Sequence, residues 1–394
     1  MRMIRALCKG VCACLVTGGL LLGVAGCSSD KPNEIKTSPL PKLAHSAVQI
    51  EKIWSFRVGN GSGARFETLR PGITEQLVVA ASEDGTVEAH DRRSGQRLWK
   101  VKAPAAIQVG VVAGYGIAVV GCSDGRLLAY RLKDGVLSWT ASLPSSPVSL
   151  PALGSSLVYV SINDGMLFAL SIKDGKKVWT AQSNVPALSL QGMATPFLVN
   201  GNVLLGTGSG RVLSFDAATG APQWESRVVD ADGQTEIERM NDVDGQMAAD
   251  ADSLYVASYH GGVASIDPDN GKHRWDSHTS SWQGLTVGLG SVYVSDEDST
   301  LETFDVISGK PGWKQSGLLG RRITAPLLLN NILLVGDFDG WIHAMSVEDG
   351  HWLGRIHLYR SGGFVAPLQA YDGVIYAQSQ RGRVVAIRIQ MKKV

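Results

Sequence analysis

The chain has 394 residues, with 37 Lys and Arg against 36 Asp and Glu, for a formal net charge of +1. That balance gives no support to an electrostatically driven nucleic-acid surface. The length accommodates two or three ordinary domains or one repeat-built all-β domain, so it does not decide the architecture.

At the N-terminus, Arg2, Arg5 and Lys9 precede the apolar run "LVTGGLLLGVAG", which is too short for a comfortable membrane span, so residues 1–26 read as an export signal. These three are the only charges before Cys27, which leaves the remaining chain near −2. Cys8, Cys12, Cys14 and Cys27 lie in or at the end of this segment and Cys122 stands alone in the body, so no disulfide is expected there. The run ends in "VAGC" (24–27), which resembles the bacterial lipobox. That resemblance implies a diacylglyceryl group on Cys27, and Ser28 resembles the residue that sends lipoproteins to the outer membrane. The alternative is an ordinary peptidase cut near Ala25 with Cys27 incidental. Residues 27–47, rich in Ser, Pro and Lys, then form the lipidated cysteine and its flexible tether.

From residue 48 the chain repeats with a period near 40 residues, clearest in "LVVAASEDGTVEAHDRRSGQRLWK" (77–100), "IAVVGCSDGRLLAYRLKDGVLSWT" (117–140) and "LVYVSINDGMLFALSIKDGKKVWT" (157–180). Weaker copies start at Val203, Leu254, Val292, Ile332 and Val374. Each copy reads as an apolar strand, an Asp-Gly type hairpin, an alternating strand, and a second turn ending in Gly with Trp four residues later. A short apolar segment ahead of each copy, as in "TAPLLLN" (324–330) and "FVAPLQA" (364–370), supplies an inner strand. Four antiparallel strands at this period define a propeller blade.

The Trp slots fall at 54, 99, 139, 179, 224, 275 and 313, with Gly354 in the seventh copy where Trp is expected. The eighth copy stops at "VVAIRIQMKKV" before an outer strand, and "EKIWSFRV" (51–58) carries Trp54 with no blade before it. The expectation is therefore an all-β, eight-bladed β-propeller over residues 48–394, with the N-terminal strand completing the last blade so that no sheet edge is left open. The tryptophans are expected to be core plates between sheets rather than ligand contacts.

The Gly-x-x-x-Trp repeat resembles that of quinoprotein dehydrogenases, which carry a vicinal disulfide, a calcium and a catalytic Asp near their quinone. This chain lacks adjacent cysteines in its body and the long site-forming insertions, so no quinone is expected. No His-x-x-x-His or Cys-x-x-Cys pair supports a metal, and His273 and His278 flanking Trp275 read as surface residues. No serine lies in a Gly-x-Ser-x-Gly context. In "TEIERMNDVDG" (235–245) a calcium loop starting at Asp242 fails at Met247 and Ser253, and the polar character of the loop argues against a raised catalytic pKa. No catalytic residue, metal or cofactor is expected.

The spacing from each Trp to the next hairpin residue is 31 after Trp179 and 37 after Trp224, against 24–27 elsewhere beyond the entry to the first blade. Both insertions precede an inner strand, so both emerge on one face of the ring, side by side. The first contains "VPALSLQG" (185–192) and the second the acidic loop, a combination suited to protein recognition.

Taken together, the lipobox, the eight repeats, "LSL" (188–190) and "EIERMNDVD" (236–244) resemble the BamB family, lipoproteins of the outer-membrane β-barrel assembly machinery, across nearly the whole chain. The resemblance implies a non-enzymatic scaffold, anchored at the outer membrane and facing the periplasm, which binds the periplasmic domains of BamA within the Bam complex and assists folding and insertion of outer-membrane β-barrels. It also implies contact with unfolded outer-membrane proteins. It assigns partner binding to Leu188, Leu190, Asp242 and Asp244, with Gln191 standing where the family has Arg; Arg239 either orders the loop or is a plain surface cation. Asp242 and Asp244 are expected to present charge from a solvated loop. The alternatives are a quinoprotein-like periplasmic enzyme, or a propeller binding another envelope protein or a glycan.

Overall fold

The computed structural model describes residues 37–43, 45–62, 69–183, 194–228 and 242–392. These residues form eight antiparallel sheets of four strands, numbered here as blades 1 to 8 in chain order. Blade 1 runs from Gly72 to Lys102, blade 2 from Ile107 to Ser142, blade 3 from Ala152 to Gln182 and blade 4 from Phe197 to Arg227. Blade 5 runs from Ala248 to Ser277, blade 6 from Leu285 to Gln315 and blade 7 from Leu327 to His357. Blade 8 joins Gln369–Tyr371, Val374–Gln378 and Arg383–Met391 to the N-terminal strand Val48–Arg57.

Strand composition follows position in the blade. Second strands such as Leu157–Ser161 are buried along their whole length between two neighbouring sheets, which is why they read as unbroken apolar runs. Outer strands such as Arg97–Lys102 bury little besides their Trp. The hairpins between second and third strands share one face with the connectors from each outer strand to the next inner strand, here called the connector face. Ser183, for example, leaves blade 3 hydrogen-bonded to Gly165 of that blade's Asp-Gly hairpin. The inner strand of blade 8 covers only the end of the expected apolar segment, Gln369–Tyr371.

Each outer strand bulges one residue before its Trp, or in blade 7 before Gly354. Trp99 pairs with Ala89 and Arg97 with His90, which leaves Leu98 as the extra residue. The bulge turns the indole toward the following blade. Trp139 is 6% exposed and its Nε1–H donates to the Ile172 carbonyl at 2.9 Å. Its ring covers Gly175, where an added Cβ would stand 2.6 Å from Trp139 Cε3. The same contact runs from Trp54 over Gly95 to Trp313 over Gly350. Burying an indole in this way contributes on the order of 2–3 kcal/mol per junction.

The ring closes through the N-terminal strand, which pairs with Arg383–Met391 from Val48↔Met391 to Arg57↔Arg383 and keeps the bulge, here Ile53, ahead of Trp54. Closure also explains the missing Trp at position 354. Blade 8 receives its outer strand from the other end of the chain, so it has no third-to-outer hairpin and no glycine to accept a plate. The lead-in to the N-terminal strand fills the slot instead. A Cβ on Gly354 would stand 2.5 Å from Val48 Cγ2, and Ala47 N–H donates to the Leu353 carbonyl at 2.7 Å. Further back, Ser38 N–H donates to the Leu319 carbonyl and Leu40 packs into the core between blades 6 and 7. On the other side of blade 8, buried Arg92 of blade 1 reaches the Glu75 carbonyl (2.7 Å), the Tyr376 hydroxyl (3.3 Å) and Asp372 (3.4 Å).

Candidate functional site

The two long inter-blade segments begin and end on buried residues of the connector face. The first leaves at Ser183, whose hydroxyl donates to the Gly165 carbonyl at 2.7 Å, and returns at fully buried Ala194. The second leaves at Val228 and returns at Asp242 and Val243, all three fully buried. The two returns meet at one glycine. A Cβ on Gly206, in the second strand of blade 4, would stand 2.5 Å from Val243 Cγ1 and 2.9 Å from Ala194 Cβ. Only a residue without a side chain lets both re-enter there. A cavity of about 620 Å³, lined by Gln182, Thr207, Arg211, Phe215 and Trp224 among others, opens beside these roots.

Residues 242–246 are stitched across three blades. Val243 N–H donates to the Thr207 carbonyl of blade 4 at 3.1 Å, Tyr259 N–H of blade 5 donates to the Asp242 carbonyl at 2.9 Å, and Leu285 N–H of blade 6 donates to the Gln246 carbonyl at 3.3 Å. From the opposite side of the ring, Arg70 donates to Gln246 Oε1 at 3.0 Å. These bonds correct the sequence reading at one point. Asp242 is not part of a solvated loop: it is fully buried, and Val243 beside it belongs to the core between blades 4 and 5. The polar letters conceal a stretch held in place by contacts tens of residues away. Asp244 is half-buried, and burial, reinforced by the neighbouring Asp242 carboxylate, pushes its carboxyl up to about 8. Its Oδ1 is enclosed and accepts no hydrogen bond from the described residues.

Leu188, Leu190, Gln191 and Arg239 lie outside the described residues, as does Cys27. Sequence reasoning missed an aromatic group next to Asp242: Tyr259 stacks on His260 with centroids 3.8 Å apart and meets Trp282, which is 41% exposed, at 5.8 Å. The available signal was Trp282 itself, which falls outside the Gly-x-x-x-Trp register. Also missed was a buried cluster in blade 7, where Asp337 accepts from Arg321 at 2.7 Å and pairs with His343 Nε2 at 3.1 Å. Its hydrogen bonds to His343 and Arg321 hold Asp337 low despite the opposing effect of burial, and the cluster ties the blade 7 hairpin to the preceding connector. Among the described residues, no group of three or more His, Cys, Asp and Glu is placed to hold a metal ion.

Comparison with known proteins places this geometry. A family model described as "Outer membrane protein assembly factor BamB" matches residues 53–315. A relative of that name from Pseudomonas aeruginosa is 44% identical over 371 residues, 94% of this chain and 97% of the relative. The crystal structure of BamB from Moraxella catarrhalis superposes with a TM-score of 0.80 at 30% identity, covering 86% of this chain and all of that one. Quinohemoprotein alcohol dehydrogenase from Comamonas testosteroni reaches a TM-score of 0.68 at 15% identity over 88% of this chain and 78% of its own, a likeness of fold alone. The ring defines a propeller of the quinoprotein-repeat type, and the relatives that share its sequence are named as assembly factors, a non-catalytic role. More particularly, the chain belongs to the BamB family, the outer membrane protein assembly factors of the Bam complex.

Proposed function

We propose that the chain is a docking platform, held at the outer membrane by acyl groups on Cys27 and facing the periplasm, that binds the periplasmic domains of BamA through the connector face between blades 3 and 5. The observation that carries this reading is the convergence of both insertions on Gly206, which brings the roots of an apolar and an acidic segment to one place. Leu188 and Leu190 supply the apolar contact, with Gln191 at its edge and Arg239 ordering the second segment. Asp242 and Asp244 form the buried root of that segment. A cation arriving from BamA lowers the Asp244 pKa, so that binding releases a proton and tightens as pH rises toward 8. By gripping the partner's domains the platform orients them for barrel assembly, and nascent barrel strands make only passing contact.

The test is co-purification and titration of the full-length lipoprotein with the periplasmic region of BamA, with circular dichroism as the folding control. Leu188→Ala/Leu190→Ala should weaken binding by roughly ten- to a hundredfold, the range for central apolar anchors, and wild-type affinity should rise between pH 6 and pH 8. A well-folded double variant that binds like wild type would place the interface elsewhere. Mass spectrometry of the mature N-terminal peptide tests the acyl groups independently.

A further inference from the structure

The connector face carries a second feature on the rim across the ring from blade 4. Arg57, Arg322, Arg360, Arg381 and Arg383 are all exposed there, on the connectors on either side of blade 7 and on the hairpin, third strand and outer strand of blade 8. None of the five forms an ion pair among the described residues. The carboxylates of the blade 7 hairpin, Asp337 and Asp339, are already bonded to buried Arg321 at 2.7 and 3.0 Å. Arg57 and Arg383 lie directly opposite each other in the ladder that closes the ring. Like charges facing across strands are destabilising; Arg383 lies over the Tyr359 ring at 5.6 Å, a contact that leaves its charge unneutralised. On the opposite face some cations of the outer turns are paired with neighbouring carboxylates, as in Arg131–Asp134 at 2.8 Å and Lys176–Asp174 at 3.3 Å, but among the described residues no single rim there gathers five arginines. Phe338, 36% exposed, lies on the same rim as the exposed arginines, its ring under the Arg321 guanidinium.

The path of the N-terminal segment indicates what this rim faces. Thr37 and Ser38 are hydrogen-bonded to the Gly320 and Leu319 carbonyls, in the connector that continues into Arg321 and Arg322. Ten residues separate Thr37 from Cys27, which limits the distance between the acylated residue and this rim to about 35 Å even when fully extended. On the reading that Cys27 is acylated, the cationic rim is therefore within tether reach of the membrane in which the anchor is set.

We propose that the arginine rim of blades 7 and 8 rests on the anionic phospholipid headgroups of that membrane, as a second attachment beside the acyl chains. Stable attachment of lipidated proteins commonly combines an acyl anchor with a basic patch, each cation near an anionic surface contributing about fivefold. The inference rests on the acylation of Cys27 proposed above. Membrane contact at blades 7 and 8 leaves the face at blades 3 to 5 free, so one surface serves membrane and partner at opposite rims.

The test uses full-length acylated protein in vesicles of phosphatidylethanolamine with or without phosphatidylglycerol, each containing a trace of nitroxide-headgroup lipid. A fluorophore is placed at Ser361→Cys in the rim connector or at Asn331→Cys on the opposite face of blade 7. The label at Ser361→Cys should be quenched in the phosphatidylglycerol vesicles and the control label should not. Quenching should be lost in about 0.5 M salt and in the Arg360→Gln/Arg381→Gln/Arg383→Gln variant, whose lipid contact should fall roughly a hundredfold. The salt arm needs no substitution and so is independent of folding. Equal quenching at both labels, or quenching indifferent to lipid charge, overturns the proposal. Absence of quenching together with charge-dependent capture of an acidic envelope protein by the rim also overturns it. Failure of the anchor reading looks different, because unacylated protein would not float with the uncharged vesicles at all.

Discussion

Replacing Gly175 with Ala tests whether the tryptophan plates lock the ring. Gly175 has φ of 71°, and the new Cβ would meet the Trp139 ring at 2.6 Å. A non-glycine residue in the left-handed region costs about 1–2 kcal/mol, and forcing a methyl group into a filled contact adds about 1–3 kcal/mol. Gly175→Ala should therefore lose about 2–5 kcal/mol. Gly116 is the control: its φ is 85°, but a Cβ there meets nothing within 4 Å. Gly116→Ala should lose only the backbone part, about 1–2 kcal/mol. The assay is urea unfolding followed by circular dichroism, comparing midpoints at a common slope. A Trp139→Ala background sharpens it, because removing the indole frees the space and Gly175→Ala should then cost no more than Gly116→Ala. Equal losses for the two single variants, or strict additivity with Trp139→Ala, would show that the indole is not what demands glycine there.

Deleting residues 48–58 should lower stability by at least about 3–5 kcal/mol through lost burial at the seam and should open the edge of Arg383–Met391 to pairing with other chains. Differential scanning calorimetry and light scattering read both effects, and an unchanged melting temperature would contradict closure by that strand. Asp244→Asn should flatten part of the pH dependence of stability. Because burial raises the folded carboxyl to about 8, well above the ordinary carboxylate range, its stabilisation is complete below that range and is lost as pH rises toward 8. The variant should match wild type near pH 4 and exceed it increasingly up to pH 8. A constant offset across that range would count against the burial of this group.

Much of the ring is legible in the sequence because its signals are local and recur. Asp-Gly pairs fix the hairpins, Gly-x-x-x-Trp fixes the outer strand, and Trp54 without a blade ahead of it implies closure. The bulge before each Trp leaves no composition signal, since Leu98, Ser138 and Val178 in that position share no chemistry beyond partial exposure. Gly354 looks like a degenerate repeat and is instead the residue that admits the N-terminal lead-in. At the candidate site, the lengths and order of the insertions were readable from spacing. The burial of Asp242 was not, because it follows from Thr207, Tyr259 and Gly206, none of which is near it in the chain. The arginine rim escapes notice for a similar reason: Arg322, Arg360, Arg381 and Arg383 share one face only once blades 7 and 8 form, and Arg57 joins them only when the ring closes.

That closure also orders events in time. Val48 pairs with Met391, so the first strand made finds its only ladder partner in the last one made. Until residues 383–391 have emerged, Val48–Arg57 is an unpaired amphipathic strand, and blade 1 lacks the Trp54 plate over Gly95. Local hairpins can form as each blade appears, but the loop closed by the final pairing spans nearly the whole domain, and such contacts form slowly. The newly made chain therefore passes through an open-ring stage with a free strand at its leading end. A factor that attends the folding of β-barrels thus has to complete a circular β-structure of its own first, by joining its two ends.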